Sequence, residues 1–310
     1  MDLTNAIFRD EAKARAHLEG IRWPDGPFCP HCGSFNAHRL EGEAHRAGLL
    51  NCRDCRRQFS VTVGTVFERS HVPLHKWVLA THLMAASKKG MSAHQLHRML
   101  KVTYKTAWFM AHRIRAAMAD PNPGPIGGEG KIVEADETYH GKAENAVAVR
   151  KRKTAPTKGG RSGPGGKRPI VALVERGGAV RAFHMPKVTA GNVREALVKN
   201  ASRKSRLHTD ESNLYPATGT EFAKHETVRH SAKEYVRGDV HTNTVEGFFG
   251  IFKRGMTGVY HHCGEQHLQR YLDEFSFPYS NRKISDAERA ARTLEGTTGK
   301  RLTYRRAHAA

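Results

Sequence analysis

The chain has 310 residues, enough for two or three compact units and far more than a disulfide-stapled miniprotein needs. Its 51 Lys and Arg against 30 Asp and Glu leave a formal charge of +21, which points to an anionic partner. No run of about 18 apolar residues could span a bilayer, and the opening MDLTNAIFRDEAKARAHLEG carries acids and lacks the apolar stretch of a signal peptide. The expectation is a cytoplasmic, nucleoid-associated protein that meets nucleic acid and no membrane.

Residues 8 to 19 repeat apolar positions at helical spacing through Phe8, Ala12, Ala16 and Leu18 and stop at Gly20 and Pro24, so an N-terminal helix occupies 1–24. Residues 25–66 hold four of the five cysteines as two C-x2-C pairs, Cys29 with Cys32 and Cys52 with Cys55, separated by 19 residues. Each pair aims two thiolates at one point, and two pairs complete a closed tetrahedral shell. The expectation is a zinc ribbon whose Zn2+ is structural, with short strands around His38–Leu40, Gly48–Asn51 and Arg56–Thr62. Cys263 stands apart in a Tyr-His-His-Cys stretch that reads as a surface loop.

Three helical patterns follow in 71–119. Leu74, Trp77, Val78, Leu83 and Met84 mark the first, and Ser92 with Gln95 forms a capping-box signal for the second. After a Lys101-Val102-Thr103 turn the third runs from Tyr104 to Met118. This is the plan of a helix-turn-helix domain, although a plain three-helix packing unit has the same pattern. Lys105, His112, Arg113 and Arg115 form its candidate DNA-reading face. Residues 120–130, dense in Pro and Gly, are a linker.

Beyond the linker, 131–284 changes to strands: Lys131 to Tyr139, Pro169 to Glu175, Ala179 to Met185, a helix from Thr189 to Asn200, a fourth strand over Ser205 to Thr209, a short one over Glu226 to His230, and helices near 242–256 and 264–277. The order is that of a ribonuclease H-like core, giving an α/β fold class with a zinc ribbon and a small helical domain in front. The stretch 150–168, RKRKTAPTKGGRSGPGGKR, holds eight basic residues and no acid. It reads as a solvated insert whose Lys151, Arg152 and Lys153 contact DNA backbone. Residues 285–310 read as a frayed basic tail.

In so basic a chain, acids at strand ends need a reason. Asp136 sits near the end of the first core strand and Asp210 ends the fourth, and these two strands are neighbours in such a sheet. On the following helix Asn243 and Glu246 lie three apart on one side, and Lys253 lies two turns beyond Glu246. Two Asp and one Glu are hard oxygen ligands suited to Mg2+ or Mn2+, and two such ions serve in-line phosphoryl transfer. Phe248, Phe249 and Phe252 read as the packing stripe of that helix.

Together these motifs resemble the DDE-type insertion-sequence transposases that join an N-terminal zinc ribbon to a ribonuclease H-like core, a bacterial group related to Merlin elements. The residues that carry the resemblance are Arg22-Trp23-Pro24 before the first cysteine pair, Ala135-Asp136-Glu137-Thr138-Tyr139, His208-Thr209-Asp210, Gly238 to Glu246, and Tyr271-Leu272-Asp273-Glu274-Phe275. The resemblance implies metal-dependent cutting of transposon ends, joining of their 3′-hydroxyls to target DNA, and a homo-oligomer assembled on double-stranded DNA. It makes Asp136 and Asp210 the first two catalytic acids. Glu246, with Lys253 seven residues on and a 36-residue interval from Asp210, is the first choice for the third, and Asn243 is the other. Two other functions remain open at this point: a ribbon and helix-turn-helix DNA-binding protein without catalysis, and a ribonuclease H-like nuclease that cuts without joining.

Overall fold

The computed structural model describes residues 3–142 and 166–302, which leaves Lys151, Arg152, Lys153 and most of the basic 150–168 stretch outside the described residues. The chain divides into two compact units, Met1–Asp120 with Arg282–Ala310, and Pro121–Asn281.

The first unit opens with α1 (Glu11–Arg22), capped by Asp10, whose carboxylate accepts the amides of Ala12 and Lys13. The ribbon follows as an antiparallel three-stranded sheet, β1 (Ala37–Arg39), β2 (Leu50–Cys52) and β3 (Gln58–Phe59), in the order β1-β2-β3. Its minimal core is Cys29, Leu50, Cys52 and Phe59, with Trp23 edge-on to Phe59 at 5.9 Å. So small a core needs another cross-link, and the four sulfurs provide one. Cys29 and Cys55 lie 3.6 Å apart, as do Cys32 and Cys52. Thiolates about 2.3 Å from a tetrahedral zinc have sulfur–sulfur edges of about 3.8 Å, so the four residues fit that ion.

Three helices follow: α2 (Leu74–Ala86), α3 (Ala93–Leu100) and α4 (Tyr104–Met118). Ser92 caps α3 through the Gln95 amide, Lys101 turns the chain in a left-handed conformation at φ 51°, and Thr103 caps α4. One expectation is corrected here. Lys105 is exposed at the start of α4, but His112, Arg113 and Arg115 are all buried, so they form no outward DNA-reading face. Arg113 lies over the Phe109 ring and donates to the carbonyls of Glu68 and Leu302, and the His112 ring packs on Trp108.

The second unit is built on β4 (Ile132–Lys142), β5 (Lys167–Glu175) and β6 (Val180–His184), which pair antiparallel. Helix α5 (Ala190–Asn200), capped by Thr189, crosses over to β7 (Arg206–Thr209), and the short α6 (Pro216–Gly219) leads to β8 (Lys224–Thr227). Both β7 and β8 run parallel to β4, giving the order β6-β5-β4-β7-β8 of a ribonuclease H-like sheet. A two-stranded ribbon, β9 (Val236–Arg237) and β10 (Val240–His241), precedes α7 (Asn243–Gly255) and α8 (Leu268–Ser280).

Alternation along the strands sorts the two faces. Val133, Ala135, Val171 and Leu173 pack with Val193 and Leu197 of α5. On the other face Ile170, Ala172 and Val174 pack with Val245, Phe248, Phe249 and Phe252 of α7 and Leu272 and Phe275 of α8. Cys263 is buried in this second core and is not in a surface loop. The expected C-terminal tail is likewise a folded element: α9 (Asp286–Glu295), with a complete Ser285–Glu288 capping box, buries Ala290, Thr293 and Leu294 in the first unit.

Candidate active site

The parallel register pairs Ile132 with Arg206 and Glu134 with His208. Continuing it two residues sets Asp136 beside Asp210; Asp210 directly follows the last residue of β7, but Asp136 is the fifth of the eleven residues of β4 and lies inside the strand, not near its end as expected, because β4 runs on to Lys142. Asp136 Oδ1 accepts the Glu137 amide at 2.7 Å, and Asp210 Oδ1 accepts the Ser212 amide at 3.0 Å. Each aspartate thus accepts a backbone amide one or two residues further along its own chain segment.

Glu137 joins them. It is the next residue of β4, and its Oε2 accepts a hydrogen bond from the hydroxyl of the buried Tyr215 at 2.6 Å. Carboxylate oxygens of Asp136, Glu137 and Asp210 lie within 4.8 Å of one another. The cost of that crowding shows in the acidities. Burial, then the negative charge of Asp210 and Glu137, pushes the Asp136 carboxyl well above the usual range. Burial raises Asp210 as well, opposed by the Ser212 amide and the His230 charge. Glu137 is raised by burial against the pull of Tyr215.

Glu246 faces this cluster from α7, near enough that its charge adds to the rise of both Asp136 and Asp210. Its Oε1 accepts from Thr242 Oγ1 at 2.9 Å and stands 3.8 Å from His230 Nε2. Asn243 is exposed at the first position of α7, where its amide donates to His241 Nδ1. Lys253 is exposed two turns further on, and its charge falls on His140. The three carboxylates of Asp136, Glu137 and Asp210, each held above its usual pKa by burial and neighbouring negative charge, form a donor set for a hard divalent cation, while Glu246 stands outside that 4.8 Å group with its charge bearing on the two aspartates. The residues present therefore fit Mg2+ or Mn2+.

Sequence reasoning passed over Glu137 as a member of the cluster, and over Glu134, Arg176 and His208 beneath it. Their signals were present but ambiguous: three acids within Glu134 to Glu137, and an arginine, Arg176, followed by two glycines between two strand patterns.

Comparison with known proteins identifies the family. Residues 127–280 match the family model of the ISXO2-like transposase domain, and residues 9–58 match that of the transposase zinc-ribbon domain. A protein of Halobacterium salinarum named for the transposable element ISH50 is 30% identical over 279 residues, spanning 86% of this chain and 90% of its own length. Among solved structures, a pre-cleavage Mos1 transpososome is matched at TM-score 0.29 and 12% identity over 70% of this chain and 74% of its own. A simian T-cell lymphotropic virus intasome is matched at TM-score 0.28 and 17% identity over 66% and 67%.

Proposed function

Because this chain belongs to the ISXO2-like transposases with an N-terminal zinc ribbon, we propose that it cuts DNA at the ends of a mobile element and joins the freed 3′-hydroxyls to target DNA at Asp136, Asp210 and Glu246. The observation that supports this most directly is the gathering of Asp136, within β4, and Asp210, just past the end of the adjacent parallel β7, with the charge of Glu246 bearing on both. In this reading Asp136 and Asp210 would be the first ligands of the divalent cation. Mg2+ or Mn2+, when bound, supplies activation of the attacking hydroxyl and neutralises the leaving oxygen. Glu246 is the third ligand, aimed by Thr242, and Glu137 is kept at the cluster by Tyr215.

Glu246 is preferred to Asn243 as third ligand because its carboxylate is both oriented by Thr242 and felt by the two aspartates. Glu246→Gln is expected to lower strand joining by about 100-fold or more, and Asn243→Ala by less than about 10-fold; the reverse order in the same assay would transfer the role to Asn243. Lys253, exposed on the same helix, then offers a cation to the DNA backbone, as do Lys105 and the basic residues Lys151, Arg152 and Lys153. Assembly as a homo-oligomer on DNA, and work at the nucleoid in the cytoplasm, belong to the same proposal. No helix among the described residues is long and apolar enough to cross a membrane.

The test is to incubate the zinc-loaded protein with Mg2+, a supercoiled plasmid and duplexes taken from the DNA bordering its gene. Joined products that vanish with Asp210→Asn are expected. Cleavage without joining would favour a ribonuclease H-like nuclease, and a full-strength gel shift with neither product would favour a DNA-binding regulator.

A further inference from the structure

The first backbone amides of any helix lack partners within it and normally take the side chain of the residue just before. Helix α7 does otherwise. Thr242 stands at that position but makes no cap, and its hydroxyl donates to Glu246 Oε1 instead. The amides of Thr244 and Val245 instead donate to Glu134 Oε2, at 2.8 and 3.1 Å, and Thr244 Oγ1 donates to Glu134 Oε1 at 2.7 Å. The cap thus comes from the third residue of β4, about 110 residues earlier in the chain.

Glu134 is fully buried, and a buried carboxylate costs several kcal/mol unless it is paired and hydrogen-bonded. Its partner is Arg176 at the β5–β6 turn, with Nε 2.5 Å from Oε1. The rest of that guanidinium is spread over the neighbouring elements. It donates to the carbonyls of Asp239 and His241 at 2.6 and 3.0 Å, and to His208 Nδ1 at 3.2 Å. His208 lies two residues before Asp210, and His241 two residues before Asn243. One acid and one base therefore join the three segments that carry Asp136, Asp210 and Glu246.

The spacing makes this more than a stabilising contact. Glu134 and Asp136 are two apart on one strand and share a face, separated by about 7 Å of rise. Whatever fixes α7 to Glu134 fixes Glu246 against Asp136, because both distances run along rigid elements. A helix that needed only capping could have used Thr242, as Thr103 caps α4 and Thr189 caps α5. We propose that Glu134, braced by Arg176, is the positioning residue that sets the separation of the third acid from the two aspartates, while Thr242 is left to aim it. This rests on the reading of Asp136, Asp210 and Glu246 as the reacting acids.

The full-length, zinc-loaded protein with Glu134→Gln and with Glu134→Ala tests it, using strand joining with the bordering-DNA duplexes and backbone amide exchange. Gln keeps the shape and one acceptor oxygen for the Thr244 and Val245 amides, so it is the conservative variant. The expected result is that Ala lowers kcat by about 100-fold and Gln by about 10-fold, the range seen when the outer partners of metal ligands are removed. KM for the duplex should stay within about twofold. Exchange should quicken at Thr244 and Val245 and stay unchanged at the Phe249 to Lys253 amides. Equal fractional losses in Gln and Ala, or a rise in KM with kcat intact, would overturn the positioning role. If Ala does not fold, Gln decides alone: wild-type exchange at Thr244 and Val245 with wild-type kcat would overturn it. An inactive wild-type protein would instead remove the functional reading, and the exchange pattern would still show whether Glu134 holds the helix.

Discussion

His208 is fully buried between two arginines and two acids, with Nδ1 taking a hydrogen bond from Arg176 and Nε2 3.6 Å from Glu226. Burial first, then the positive charge of Arg176 and Arg206, pulls its pKa down to about 4, against the opposing charges of Glu226 and Asp239. The folded value lies below that of a free histidine, so on acidification the unfolded chain takes the proton first. Stability therefore falls as pH drops from about 6.5 towards 4, by at most about 1.4 kcal/mol per pH unit for one proton. Urea unfolding at a series of pH values should show this slope between pH 6.5 and 5, and His208→Asn should flatten it; equal slopes in the two proteins would refute the assignment. At this scale the sequence was readable where chemistry alone forces a residue's position, as for Asp136 and Asp210 in a basic chain. It was unreadable where burial decides. Arg113 and Arg115 look like DNA contacts in one dimension, and only packing reveals that their side chains are enclosed. Glu134 is the converse case, since nothing local distinguishes a carboxylate that caps a distant helix from one facing water.

Among the elements, the strands and helices of the second unit were legible because their alternation is regular, and the cysteine spacing was legible because thiolate geometry is strict. Helix α9 was not, since its few apolar residues, Ala290 and Leu294 among many charges, acquire meaning only from the surface they cover. The ribbon carries its own prediction. Its three strands hold two or three residues each, too few to persist without a cross-link. Stripping zinc with a chelator, or substituting Cys32→Ser, should unfold residues 25–66 and shift tryptophan emission to the red as Trp23 leaves Phe59. The melting transition of the Pro121–Asn281 unit should not move. A ribbon that keeps its fluorescence after complete zinc loss would contradict this account.

For the molecule as a whole, the decisive feature is that one compact unit is assembled from both ends of the chain while the other lies uninterrupted between them. The closing segment does more than fill space: Val66 donates its amide to Thr297, Gly299 to Gly64, and Arg289 reaches the Ala85 carbonyl. A chain ending at Asn281 should therefore destabilise the first unit by at least about 3 kcal/mol, from the lost Leu294 burial and hydrogen bonds. It should leave the sheet and its acids folded, which two separately resolved calorimetric transitions would reveal; an unmoved first-unit transition would count against it. The same arrangement has a bearing on synthesis. The ribosome delivers the acid-bearing unit complete before it delivers the last helix of its companion. A product terminated after Asn281 would keep the unit that carries the acids but lack a finished ribbon-and-helix unit, so the order of translation completes the first unit only once α9 has been made.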